Sequence, residues 1–139
     1  MNVILTQTDT TVGFLSQDEA KLQTIKSRTD TKPFIKVYKN FKSLPSRIPS
    51  KYKKLVRRAR KTTFIVKNNS FRVSSPRHNS PLLNAPWYYS TSANAAGKSF
   101  ERVFCEAKAD IIIEDKNRFH EHRASSLIKL TQKAKRRLR

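Results

Sequence analysis

The chain is poor in cysteine, glycine and acid. Its 139 residues contain one cysteine, Cys105, two glycines, Gly13 and Gly97, and ten Asp and Glu. One cysteine cannot close an internal disulfide, and it excludes a multi-cysteine zinc site. A cytoplasmic location is expected, where thiols stay reduced. With two glycines there is no glycine-rich phosphate loop: neither G-x-x-x-x-G-K-[ST] nor G-x-G-x-x-G occurs. No apolar run approaches the roughly 18–20 residues of a membrane-spanning helix. Mean hydropathy is −0.68, so no membrane partner is expected. The opening Met1-Asn2-Val3-Ile4-Leu5 lacks the basic flank and apolar length of a secretory leader. His120 and His122 stand two apart with no cysteine nearby, so no metal site is expected. No Ser–His–Asp arrangement can be argued from the sequence.

What the chain has in excess is positive charge. Thirty Lys and Arg against ten acids leave a formal charge of +20. Such an imbalance repels itself unless a polyanion is near, and nucleic acid is the commonest one. The charge is uneven. Residues 26–67 hold fifteen Lys and Arg against one acid, Asp30, and residues 129–139 hold six and none. Lys53, Lys54, Arg57, Arg58, Arg60 and Lys61, with Lys135, Arg136 and Arg137 in the tail, are the expected RNA contacts.

Val3-Ile4-Leu5 reads as a short buried strand entering a threonine-rich turn, 6–11. Ser16 and Glu19 have capping-box spacing, which predicts a helix from Ser16 to about Lys26. A strand is expected over 33–38, with Asn40 capping one helical turn behind it. Tyr52, Leu55, Val56 and Ala59 form one apolar helical stripe inside a basic surround. Residues 62–67 and 70–74 read as strands of a hairpin around Asn68-Asn69, and 76–81 as a loop. Trp87-Tyr88-Tyr89-Ser90 is β-prone. Phe100, Val103, Phe104 and Ala107 make a second helical stripe, which leaves Cys105 off the core face. Ile111-Ile112-Ile113 reads as a buried strand and 126–130 as another, followed by a basic tail, 131–139. The expected fold is a single α+β domain over residues 1–130: a twisted mixed sheet, flanking helices and a basic concave cleft.

Three polar clusters fall near strand ends, where open sheets place ligands. They are Thr8-Asp9-Thr10-Thr11 with Gly13, then Lys26-Ser27-Arg28 with Lys32-Pro33, then Ser90-Thr91-Ser92-Ala93-Asn94 with Gly97. Each alone reads as turn chemistry. In this order they resemble the YrdC-like family of threonylcarbamoyl-AMP synthases. That family carries a P-T-D-T-V-Y-G-like opening, K-x-R…K-P, V-R-V/I, S-T-S-A-N-x-S-G and a late P-S-T-I-V-D strand. The matching stretches are 7–14, 26–33, Phe71-Arg72-Val73, 90–97 and 124–130, which span nearly the whole chain.

The resemblance implies a reaction: L-threonine, bicarbonate and ATP, with Mg²⁺, give threonylcarbamoyl-AMP and pyrophosphate for the t6A modification of tRNA. Partner proteins, a threonylcarbamoyl-transferase complex, would complete the transfer. It implies that Lys26, Arg28 and Lys32 offset the charge growing on the leaving pyrophosphate. It assigns nucleotide binding to Lys26, Arg28, Ser92, Asn94 and Ser125, and threonine binding to Thr8, Thr10, Lys32 and Arg72. Asp9 is placed near the reaction, but no general base stands out. Gln7 stands where the family has proline, and Lys129 where it has a late aspartate. Two other readings stay open: a relative without catalysis that binds double-stranded RNA or tRNA, and a small ribosome-associated basic protein.

If the charge serves a nucleic acid, RNA affinity should fall steeply as salt rises, because bound phosphates release counterions. A salt titration by fluorescence anisotropy checks this, and a flat response refutes it.

Overall fold

The computed structural model describes residues 2–8, 10–26, 34–44, 48–67, 69–73, 85–94, 98–114, 118–119, 125–131 and 134–139. Its first two strands form a hairpin. Ile4–Gln7 (β1) returns as Val12–Ser16 (β2), with Ile4 opposite Leu15 and Gln7 opposite Val12. Every residue of both strands is buried. Strands covered on both faces need no apolar–polar alternation. Leu5, Val12 and Phe14 pack on one side, and Ile4 and Leu15 meet Tyr88 on the other.

This hairpin corrects the expected helix start. Ser16 lies inside β2, so the helix begins at Glu19 and spans Glu19–Lys26 (α1). Ser16 Oγ accepts from the Asp18 N–H at 3.0 Å, and Asp18 Oδ1 accepts from the Lys21 N–H at 3.2 Å. Asp18 therefore does the capping. Pairing the apolar run Val12–Leu15 with β1 outweighs the local capping signal.

Ile35–Tyr38 (β3) follows. Asn40 then caps a single 3-10 turn, Phe41–Ser43, as its sequence position predicts. A second 3-10 turn, Ser50–Tyr52, leads into Lys53–Arg58 (α2). Thr62–Val66 (β4) and Asn69–Val73 (β5) form the expected hairpin. Lys67 in its turn takes a left-handed φ of 49°. Trp87–Ser92 (β6), Arg102–Lys108 (α3), Ile111–Ile113 (β7), Ser126–Leu130 (β8) and Lys135–Arg137 (β9) complete the chain.

The nine strands among the described residues join one sheet, in the order β7-β1-β2-β6-β3-β5-β4-β8-β9. Pairs β1–β7, β3–β5 and β4–β8 are parallel and the other neighbours antiparallel. The result is the expected single α+β domain with a mixed sheet. Two apolar clusters lie on its helix side. Leu22 of α1 and Cys105 of α3 close over Val3, Leu5, Val12 and Phe14. Val56 of α2 closes over Phe64, Val66, Phe71 and Leu130, with Tyr52, Leu55 and Ala59 packed beside it, so the first helical stripe holds.

Three expectations change. In α3 the inward residue is Cys105, fully buried, while Val103 is 77% exposed. Phe100 and Phe104 do pack on the core, but the helix is rotated from the predicted stripe. The Ile111–Ile113 strand exists, yet it is an edge strand with Ile111 and Ile112 exposed. The basic tail contributes β9, with Lys129 opposite Arg136, so the sheet continues past residue 130. The 76–81 loop, His120 and His122 lie outside the described residues.

Removing the Asp18 cap should cost about 1 kcal/mol. Urea unfolding of Asp18→Ala checks this, and an unchanged midpoint would return the cap to Ser16.

Candidate functional site

The face of the sheet opposite the helices carries the polar side chains. A cavity of about 470 Å³ opens there, lined by Thr8, Thr10, Arg72, Ser92 and Ser125 among others. Five of the residues proposed from sequence thus share one hollow, although they are scattered along the chain. The register explains why. Gly13 of β2 pairs with Ser92 of β6, β6 pairs with β3, and β3 puts Val37 beside Arg72 of β5.

The threonine turn is held by its own hydroxyl. Thr8 Oγ1 donates to the Thr11 carbonyl at 2.6 Å and accepts the N–H groups of Thr10 and Thr11 at 3.3 and 3.2 Å. That uses its hydrogen-bonding capacity, so Thr8 shapes the turn. Thr10 is the residue that faces charge: its Oγ1 accepts from Arg72 Nη1 at 3.1 Å. Gly13 is needed for close approach. A Cβ there would stand 3.0 Å from Thr8 Cγ2 and 3.4 Å from the Thr91 carbonyl oxygen.

Burial pulls the Arg72 guanidinium down to about 10. The charged form is the one that burial penalises. A folded-state value below the unfolded one means the fold gains stability as pH rises from about 10 toward the guanidinium's ordinary value, and carries the burial cost in full below that window. At neutral pH the group stays charged, and an anion in the cavity would offset the cost.

Lys26 sits at the other end of the site, 5% exposed. Its ammonium donates to the Ser92 carbonyl at 3.0 Å, the Asn94 carbonyl at 3.1 Å, Ser92 Oγ at 3.4 Å and Asn94 Oδ1. The sequence pairs K-x-R and S-x-N are therefore brought together through Lys26, Ser92 and Asn94. These bonds anchor the end of α1 to the end of β6. Arg28, Lys32 and Asp9 lie outside the described residues.

Ser125 bonds Thr63 Oγ1 at 2.8 Å, inside the sheet. It also receives a residue that sequence reasoning missed. Arg139 Nε donates to the Ser125 carbonyl at 2.9 Å, and Arg139 Nη2 to Ser125 Oγ at 3.4 Å. Arg139 lines the cavity as well. Thr131, which accepts from and donates to Ala134, precedes the strand that brings Arg139 there. None of the cavity's described lining residues is acidic. Two guanidiniums and a ring of hydroxyls make a receptor for an anionic, hydroxyl-bearing ligand.

The proposed RNA contacts lie elsewhere. Lys53, Lys54, Arg57 and Arg58 are exposed on α2, Arg60 and Lys61 just beyond it, and Lys135, Arg136 and Arg137 on β9. Arg57 also stacks on Phe41 at 4.7 Å.

No protein-family model and no curated protein matches this sequence. Solved structures do match. P. abyssi Sua5, solved in complex with L-threonine, superposes with a TM-score of 0.76 at 20% identity, over 99% of this chain and 50% of that one. The chain has a Sua5-like fold. MTH1692 from Methanobacterium thermoautotrophicum superposes at 0.71 and 21% identity, over 99% and 79%. Full-length HypF, in its phosphate- and nucleotide-bound form, superposes at 0.68 and 15%, over 99% and 26%. The chain thus spans about half of Sua5 and about a quarter of HypF. At these identities the likeness establishes the YrdC-like fold.

Replacing Lys26 by Met should destabilise the fold by about 1–3 kcal/mol, because the half-buried oxygens of Ser92 and Asn94 lose their donor. Chemical unfolding reads this out. A neutral result would mean that water replaces the ammonium.

Proposed function

We propose that this chain is a threonylcarbamoyl-AMP synthase acting in tRNA modification. The observation that carries the reading is the convergence of Thr10, Arg72, Ser92 and Ser125 on one cleft, with Lys26 bonded to Ser92 behind it. The Sua5-like fold, seen elsewhere with L-threonine bound, supports it.

In this reading Arg72 takes the threonine carboxylate, and Thr10 orients the guanidinium. The threonine amino group adds to the carbon of bicarbonate, and one C–O bond of bicarbonate breaks as water leaves, to give an N-carboxylate. A carboxylate oxygen then attacks the α-phosphorus of ATP, and the bond to the bridging oxygen of pyrophosphate breaks. Ser92 and Ser125 hold nucleotide oxygens, and Lys26 fixes Ser92 and Asn94 in place. Arg28, Lys32 and Arg139 supply positive charge toward the leaving pyrophosphate. Mg²⁺ comes in on the triphosphate, since the described cavity lining offers hydroxyls and guanidiniums and no carboxylate. Most of the acceleration comes from holding three reactants in line. Transfer onto tRNA falls to partner proteins, and the cytoplasm is the proposed location.

Purified protein should release pyrophosphate only when ATP, threonine and bicarbonate are all present. Arg72→Gln should raise the threonine KM on the order of tenfold or more, because it removes a charge-assisted hydrogen bond to the carboxylate. Release without threonine, or no release with the fold intact, would overturn the assignment.

A further inference from the structure

A second and larger hollow lies away from the cleft. It measures about 1070 Å³ and opens where the start of α2 faces the β4–β5 turn and the end of β8. Ile48, Val66 and Leu130 line it. They belong to the apolar cluster under α2 and are 5%, 3% and 2% exposed. Four lysines surround these apolar side chains: Lys51, Lys53, Lys67 and Lys129, all exposed.

No acid lines this hollow among the described residues, and none of the four lysines is in a described ion pair. Four ammonium groups around one concavity repel one another in a chain already at +20. Lys67 adds a second, independent observation. Its φ of 49° is the left-handed conformation that glycine adopts at little cost and a lysine does not. The chain accepts backbone strain there and keeps the charge.

We propose that this hollow docks an unpaired segment of RNA, with phosphates against the lysine rim and the face of a base against the apolar side chains. The charge selects a polyanion. The apolar recess selects the strand state: a duplex keeps its bases stacked inside and presents phosphates alone, whereas an unpaired strand can lay a base into a recess. The site stands apart from the adenylate-forming cleft and does not depend on that reading.

The test uses the full chain and a fluorescein-labelled oligouridine of about 12 nucleotides, a length suited to one binding groove. Anisotropy is read from about 50 to 200 mM salt. The triple variant Lys51→Gln, Lys67→Gly, Lys129→Gln is compared with a remote triple, Lys21→Gln, Lys98→Gln, Lys108→Gln. The groove triple should weaken binding about tenfold at the lowest salt, and its log–log salt slope should shrink by roughly 0.7 for each phosphate that is no longer neutralised. The remote triple should shift affinity by less than about threefold, as diffuse charge would. Lys67→Gly alone should keep or raise the unfolding temperature and still weaken RNA binding, so a folding defect cannot imitate the result. Equal weakening by the two triples would overturn the proposal, leaving only diffuse attraction. So would tighter binding of an equal-length duplex, or polyglutamate competing as well as RNA.

Discussion

The sheet depends on β6. In the strand order, β7, β1 and β2 lie on one side of it and β3, β5, β4, β8 and β9 on the other. Its first four residues pair with β3 and its last four with β2, so Tyr89 and Ser90 are partnered on both edges. A central strand of this kind admits no proline and no register slip, since a one-residue shift would exchange its faces. Tyr88 packs with Ile4 and Leu15, whereas Trp87 and Tyr89 join the two helix-side clusters. The same alternation delivers Ser90 and Ser92 to the cavity. The strand that holds the halves together is also the strand that lines the site. Lys26 reinforces it, tying α1 to the residues where β6 ends.

The site's electrostatics follow from that architecture. Lys26 is buried and Arg72 is set deep enough to carry a burial penalty. The Lys26 ammonium is met by carbonyl, amide and hydroxyl oxygens. Arg72 gives an N–H to the hydroxyl of Thr10. A neutral oxygen satisfies a donor without cancelling its charge. By contrast, Arg102 is paired with Glu106 at 2.9 Å and Glu114 at 2.6 Å, and its charge is consumed in holding α3 to the residue after β7.

Much of this was legible in the sequence because local pattern and tertiary demand agree. The α2 stripe, the β4–β5 hairpin and the Asn40 cap all read correctly, and Thr8, Thr10, Arg72, Ser92 and Ser125 line one cavity. The failures share one cause, which is tertiary contact overriding a local signal. Ser16 and Glu19 have the spacing of a cap, but Val12–Leu15 gains more by pairing with β1. Ile111–Ile113 has the composition of a buried strand, yet it pairs on one side only, with β1. Cys105 faces inward because Asp110 is fixed to Val3, its Oδ2 accepting the Val3 N–H at 2.8 Å, which sets the rotation of the preceding helix. β9 and Arg139 were illegible because Lys-Arg-Arg carries no apolar alternation. Its pairing rests on backbone bonds to β8, which any residue can make.

Glycine and lysine have exchanged their usual duties in this chain. Gly13 serves close packing, since its missing Cβ lets Thr8 approach β6. The left-handed bends fall instead to Lys61, Lys67 and Arg118, the non-glycine residues of positive φ among those described. Each such bend costs roughly 1–2 kcal/mol in the fold. A glycine would relieve that strain, but it would widen the unfolded ensemble and recover only part of the difference. What a glycine could never supply is the ammonium. Lys61 must bend because its carbonyl accepts the Ser126 N–H at 2.8 Å and so sets the start of the β4–β8 pairing. Lys67 must bend because the hairpin turns there. At Lys67 geometry alone favours glycine, and the lysine instead puts an ammonium on the rim of the second hollow.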